Sequence, residues 1–167
     1  YARLFCQVND ILTQNVVSPT DFVEKHRNNL CEYSAIVAID DLLGTGGSVE
    51  ESLDQVEERM GEQLRKAGVP LFIVAVCAFE RAVERVHQKS KSLSLPIELF
   101  VCDILSDDDR AFSETSGIFE NSADRLRARE ISQDKGRLLE KKWPLGFGDC
   151  EALVTFFSNC PNNSLPI

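Results

Sequence analysis

Two adjacent carboxylates, Asp40 and Asp41, stand just ahead of a run of small residues, Gly44-Thr45-Gly46-Gly47-Ser48. That order places two acceptor groups beside a loop rich in backbone N–H. Glycines at 44, 46 and 47 let N–H groups turn into a common concavity. Leu43 leads the chain into the loop, and Thr45 and Ser48 add hydroxyls. A helix starting at Ser48 brings the positive end of its dipole to the same place. Such a cradle holds one phosphate group. Carboxylates accept hydrogen bonds from vicinal hydroxyls and attract a divalent cation. A ligand carrying a phosphate and a diol suits both halves, and ribose 5-phosphate is such a ligand.

A strand must deliver the carboxylates, and a helix must back the loop. Ala35-Ile36-Val37-Ala38-Ile39 is a continuous apolar run, which predicts a strand buried on both faces. Neighbouring strand residues point to opposite faces, so Asp40 and Asp41 can share a site only where that strand ends. A helix is expected over residues 48–66, where Val49, Leu53, Val56, Met60 and Leu64 share one face. Ser48 and Glu51 have capping-box spacing at its start, and Gly68 with Pro70 ends it.

The remaining chain repeats the alternation. Residues 71–79 read as a second buried strand, 81–91 as a polar helix, and 97–105 as a third strand between Pro96 and the acidic turn Asp107-Asp108-Asp109. Short helices are expected over residues 2–12 and, after Ser18-Pro19-Thr20, over 21–28. Another lies within 121–135, and a final strand is expected over 152–157 before a turn at Pro161-Asn162-Asn163. Strands alternating with helices predict an α/β fold with a doubly wound, mainly parallel sheet and flanking helices. Ligands of such sheets sit at the carboxyl ends of the strands.

Composition narrows the partners. A chain of 167 residues with 43% hydrophobic content suits a single domain. Its 18 basic and 27 acidic residues leave a charge of −9, which disfavours nucleic acid and anionic membranes. The longest uninterrupted apolar run, 71–79, is too short to span a bilayer. The start on Tyr1 reads as processing or as a piece cut from a longer protein. Six cysteines form no CxxC pair, so buried reduced thiols in a cytoplasmic protein are expected. Cys77 and Cys102, inside apolar runs, should behave as small hydrophobes.

Other loop motifs fit less well. A P-loop needs Lys after its second Gly, but Ser48 follows Gly47. The dinucleotide fingerprint needs Gly at position 49, which is Val. A plain strand-to-helix turn accounts for the glycines but not for the paired Asp or the hydroxyls. Residues 36–48 resemble the phosphoribosyl-pyrophosphate-binding motif of type I phosphoribosyltransferases: hydrophobic residues, two acidic residues, two hydrophobic residues, then a Thr/Gly-rich loop. Gly44 departs from the common pattern there. The C-terminal stretch from Pro144-Leu145-Gly146-Phe147-Gly148-Asp149 to Asn159-Cys160-Pro161-Asn162-Asn163-Ser164-Leu165-Pro166 is similar to the end of a branch of these domains from bacterial conflict and antiphage systems.

The resemblance implies that Asp40 and Asp41, the residues it marks as catalytic, hold the ribose hydroxyls. It implies that Leu43, Gly44, Thr45, Gly46, Gly47 and Ser48 bind the 5-phosphate. Mg²⁺ would come through the ligand, near both Asp residues and with no direct protein ligand. Trp143, Phe147 and Asp149 are the base-recognition candidates, by ring stacking and by accepting a base N–H; packing and turn-capping would explain them equally. The ligand is phosphoribosyl pyrophosphate or a nucleotide, and a protein partner of a defence system is implied. Two readings stay open: a phosphoribosyltransferase (a pentosyl transferase) acting on a nucleobase, or a non-catalytic nucleotide-sensing or interaction domain using the same pocket. In this family the pyrophosphate loop and covering loop precede the motif. Before Ala35 the cations are Arg3, Lys25 and Arg27, and no such loop is legible, which favours binding without transfer.

Overall fold

The computed structural model describes residues 2–26, 29–93, 95–157 and 159–166. Two short helices open the chain, α1 (Ala2–Val8) and α2 (Pro19–His26). The expected helix over 21–28 thus starts earlier, with the Ser18 hydroxyl accepting the Asp21 amide at 3.1 Å. Its predicted last residues, Arg27 and Asn28, lie outside the described ones. Then follow β1 (Ile36–Leu43), α3 (Gly47–Ala67), β2 (Leu71–Phe79), α4 (Glu80–Ser92), β3 (Ile97–Leu105) and α5 (Ser122–Leu139).

The three strands form one parallel sheet in the order β1-β2-β3. Ile36 pairs with Leu71 and Leu71 with Ile97, so the strands start level and end level. Both crossover helices lie on one face. Leu53 of α3 and Val86 of α4 bury Leu71 and Ile73, and Ala82 of α4 covers Ala75 and Ala78. Met60 and Leu64 close the lower end of α3 against Leu30 and Leu95. Apolar burial on this one stripe explains why α3 is long and continuous: its apolar residues recur at helical spacing and its other faces are charged. Gly68, in the left-handed region at φ 64°, ends it.

The opposite face is covered only toward the carboxyl ends of the strands. There Leu42, Cys77 and Phe79 pack on Cys150 and Ala152 of the C-terminal segment. Nearer the amino ends the face is open, with Val37 41% and Phe100 52% exposed and the Phe72 and Phe100 rings 5.9 Å apart. This corrects the expectation that the run starting at Ala35 is buried on both faces. β1 and β3 are both edge strands, and this part of their outer face is left exposed. Cys102 on β3 is accordingly exposed, while Cys77 on the central strand is buried.

The C-terminal segment departs most from expectation. Residues 152–157 form no strand, only isolated bridges from Ala152 to Arg110 and to Ser164, and from Phe156 to Asn159. The backbone bonds that a strand would give to the sheet go to local partners instead: the Ala152 amide donates to the Asn163 carbonyl, and the Leu165 amide to that of Ala152. The result is a folded-back strap lying across the carboxyl end of the sheet. Glu151, buried, anchors it through Arg129 of α5 at 2.6 Å. Among the described residues no helix is long and apolar enough to cross a membrane.

Candidate functional site

β1 continues through both carboxylates to Leu43, so Asp40 and Asp41 sit within the last half of the strand and not past its end. Each carboxylate folds back on the following peptide. The Asp41 amide donates to Asp40 Oδ1 at 2.9 Å, and the Leu42 amide donates to Asp41 Oδ1 at 2.8 Å. These local bonds turn side chains that would otherwise diverge toward one rim. Burial pushes the Asp40 carboxyl above its ordinary value, against the lowering effect of the Asp41 amide; the neighbouring Asp41 charge raises it further.

The chain then passes through Gly44 and Thr45 to Gly46, which caps α3 in the left-handed region at φ 74°. The helix therefore starts at Gly47, and no side chain caps it. The predicted capping box of Ser48 and Glu51 is not used, because the left-handed turn at Gly46 brings the chain into the helix early and leaves Ser48 inside its first turn. Instead Thr45 Oγ1 accepts the Gly47 amide at 3.4 Å.

A cleft of about 170 Å³ opens at this point. Its walls are Asp40 to Gly46, Ser48 and Val49 on one side, and Asn162 and Asn163 of the strap on the other. The paired carboxylates and the small-residue loop thus face one cavity. Gly47 is not among its described lining residues. A larger hollow of about 500 Å³ lies between α2 and α3, lined by Val23, Glu24, Glu58 and Arg59. It lacks the glycine loop and the paired carboxylates, so the smaller cleft is the better candidate.

Two arginines of α4 hold the loop from behind. Arg81 Nε donates to the Gly44 carbonyl at 3.4 Å, and Arg85 Nη1 to the Thr45 carbonyl at 3.5 Å. Arg85 also pairs with Glu50, which stands in the first turn of α3. Arg81 lies over the Phe79 ring at 5.6 Å and donates to Cys150 Sγ at 3.5 Å. Burial pushes the Cys150 thiol up, and the Arg81 guanidinium partly opposes this. Neither arginine belongs to the sequence motif. A usable signal was present: they stand one helical turn apart, directly after the carboxyl end of a central strand.

The base-recognition candidates lie beside the cleft and do not line it among the described residues. The Phe147 amide donates to the Asn162 carbonyl at 2.7 Å, and the Phe147 carbonyl accepts Asn163 Nδ2 at 3.4 Å. Gly148 lies so close to Thr45 that an added Cβ would come within 3.0 Å of the Thr45 methyl. Trp143 sits one step further out, its ring 5.5 Å from that of Phe147 and under Lys142. Asp149 is exposed at φ 51°, a conformation unusual for a side-chain-bearing residue. Arg110 holds this turn through the carbonyls of Cys150 at 3.1 Å and Asp149 at 3.3 Å.

The strap also reaches the carboxylates. Asn159 Nδ2 donates to Asp41 Oδ2, so both oxygens of Asp41 are engaged. Among the described residues no three His, Cys, Asp or Glu side chains cluster to hold a metal. The oxygen donors at the cleft are of the hard type that suits Mg²⁺ carried by a phosphate ligand.

A parallel α/β sheet with a small-residue loop between strand and helix, and paired acidic residues before it, is consistent with a phosphoribosyltransferase-type domain. The chain matches the PRTase-CE family over residues 1–167 and belongs to that family. No curated protein matches it.

Proposed function

We propose that the cleft binds the ribose 5-phosphate portion of phosphoribosyl pyrophosphate or of a nucleotide. Asp40 and Asp41 accept the ribose hydroxyls, and the loop from Leu43 to Ser48 takes the phosphate through backbone N–H groups and the hydroxyls of Thr45 and Ser48. The observation that carries this reading is the convergence of both carboxylates and the loop on one cavity. Mg²⁺ would arrive with the ligand and offset the charge between its phosphates and the two Asp residues. In a catalytic chain, the reaction is transfer of phosphoribosyl to or from a nucleobase, with Phe147, Asp149 and Trp143 nearest the base.

Two observations favour binding without transfer as the second reading. The cleft, at about 170 Å³, is smaller than the roughly 300 Å³ at which small-molecule sites usually begin. It suits a sugar phosphate better than a sugar phosphate, a pyrophosphate and a base together. In addition, Asn159 engages the carboxylate that a diol would use. The defence setting and a protein partner rest on the resemblance of the C-terminal stretch to conflict-system domains, and a cytoplasmic location rests on the cysteine usage.

Calorimetry with phosphoribosyl pyrophosphate and Mg²⁺ tests the shared core of both readings. Binding that Asp41→Ala weakens is expected. Absence of binding to any ribose phosphate overturns both. Release of pyrophosphate on adding nucleobases separates transfer from sensing.

A further inference from the structure

The loop and the strap are fitted to each other at Gly44. A Cβ at Gly44 would run into the Asn163 side-chain amide and come within 2.9 Å of Cys150 Sγ. Asn163 is 7% exposed, yet it lines the cleft. Among the described residues its one side-chain hydrogen bond is the donation to Phe147 at 3.4 Å. Its carbonyl oxygen and second N–H are left for whatever fills the cavity. Asn162 beside it also lines the cleft, and among the described residues its side chain makes no hydrogen bond. Its position is set by its backbone, through the bond from the Phe147 amide at 2.7 Å. Among the described residues Asn163 has no buried side-chain atom left without a partner, so its free groups are open to the cleft, where a ligand can reach them.

The loop supplies only donors from one side of the cavity, and a phosphate has oxygens on every side. We infer that Asn162 and Asn163 form the opposite half of the phosphate subsite, so that the anion is held between the glycine-rich loop and two neutral amide donors from the strap. This rests on the ribose-phosphate reading and deepens it. The amides carry no charge, so recognition depends on hydrogen-bond geometry and on the orientation of the strap. The missing Cβ at position 44 is what lets Asn163 approach the loop. The departure of Gly44 from the common motif and the asparagine pair are therefore two parts of one feature.

The test uses calorimetry of the full chain with ribose 5-phosphate and with inorganic phosphate. Asn162 is exposed, so its variants should keep the parent melting temperature. Asn162→Asp sets an anion against the ligand's phosphate and should weaken both ligands by more than about tenfold. Asn162→Ala removes donors only and should cost about two- to fivefold. Parent-like affinity of Asn162→Asp for ribose 5-phosphate, with binding still lost in Asp41→Ala, overturns this inference and leaves the ribose-phosphate reading standing. Parent-like affinity for inorganic phosphate alone moves the amides to the sugar and overturns the phosphate assignment. Failure of the parent chain to bind any ribose phosphate removes the reading itself, and this inference with it.

Discussion

Gly44 of the loop and Asn163 of the strap, far apart in sequence, fill a single space: the Asn163 amide sits where a Gly44 Cβ would be. Gly44 does not have a positive φ, so its backbone would accept any residue. What excludes a side chain is the strap alone. Of the loop glycines, Gly46 is needed for its left-handed backbone at φ 74°, whereas Gly44 is needed for room.

Gly44→Ala should therefore destabilise by overpacking, by about 1–3 kcal/mol in denaturant unfolding. Asn163→Ala should relieve much of that clash. The double variant is expected to lose clearly less than the sum of the two single losses. Additive losses would show that the two residues do not share the space.

Asp40 should limit stability at neutral pH. Its folded-state pKa is raised, chiefly by burial, above the ordinary 3.8. The folded state thus binds its proton more tightly than the unfolded state does. The Asp40 contribution is fully present below the unfolded value and is lost as pH rises through the folded one. Asp40→Asn should raise the melting temperature at pH 7, with the gain shrinking below the carboxylate range. Ligand binding, which needs the ionised form, should fail on acidification earlier than an ordinary Asp would dictate. A melting temperature for Asp40→Asn below the parent value at pH 7 would contradict this.

Arg81 anchors the loop by donating to the Gly44 carbonyl. Arg81→Met keeps most of the packing over Phe79 and removes the donors. It should weaken ribose 5-phosphate binding by about three- to tenfold, with far-UV circular dichroism unchanged. Unchanged affinity would show that the loop holds its shape without this anchor.

Arg129 neutralises Glu151, which is buried in the strap at φ 57°. Arg110 lies further from that carboxylate, at 3.7 Å. Removing one partner of a fully buried pair costs about 3–5 kcal/mol. Because Arg129 is 40% exposed, Arg129→Ala should cost about 2–3 kcal/mol. Protease cleavage within residues 150–165 should increase along with this loss. Cleavage confined to the N-terminal helices would argue against the anchoring role.

Much of the fold is legible in the chain itself. The strands over 71–79 and 97–105 coincide with β2 and β3, because their apolar runs are bounded by Gly68, Pro70, Pro96 and the acidic turn. The stripe from Val49 to Leu64 defines α3, since side chains at helical spacing must share one face. The loop motif likewise follows from local chemistry: glycines, hydroxyls and paired carboxylates within thirteen residues, 36–48, need little context to be read.

Other features depend on contacts between distant segments. Nothing in residues 152–157 distinguishes a short apolar strand from a folded-back strap. That choice is set by Asn163 and Leu165, which take up the backbone groups of Ala152. Asn159, Asn162 and Asn163 read locally as turn residues; only when the strap crosses the sheet do Asn162 and Asn163 line the cleft and Asn159 reach Asp41. Arg81 and Arg85 read as part of a polar helix until the fold brings the carbonyls of Gly44 and Thr45 against them. The open outer face of the sheet was hidden because an apolar run has the same pattern whether both its faces are covered or one. Local patterning determined the elements and the loop chemistry, because each depends on residues close in sequence. The far wall of the cleft, the anchors behind the loop and the reason for Gly44 were decided only by tertiary structure, because each is a contact between segments that the sequence keeps apart.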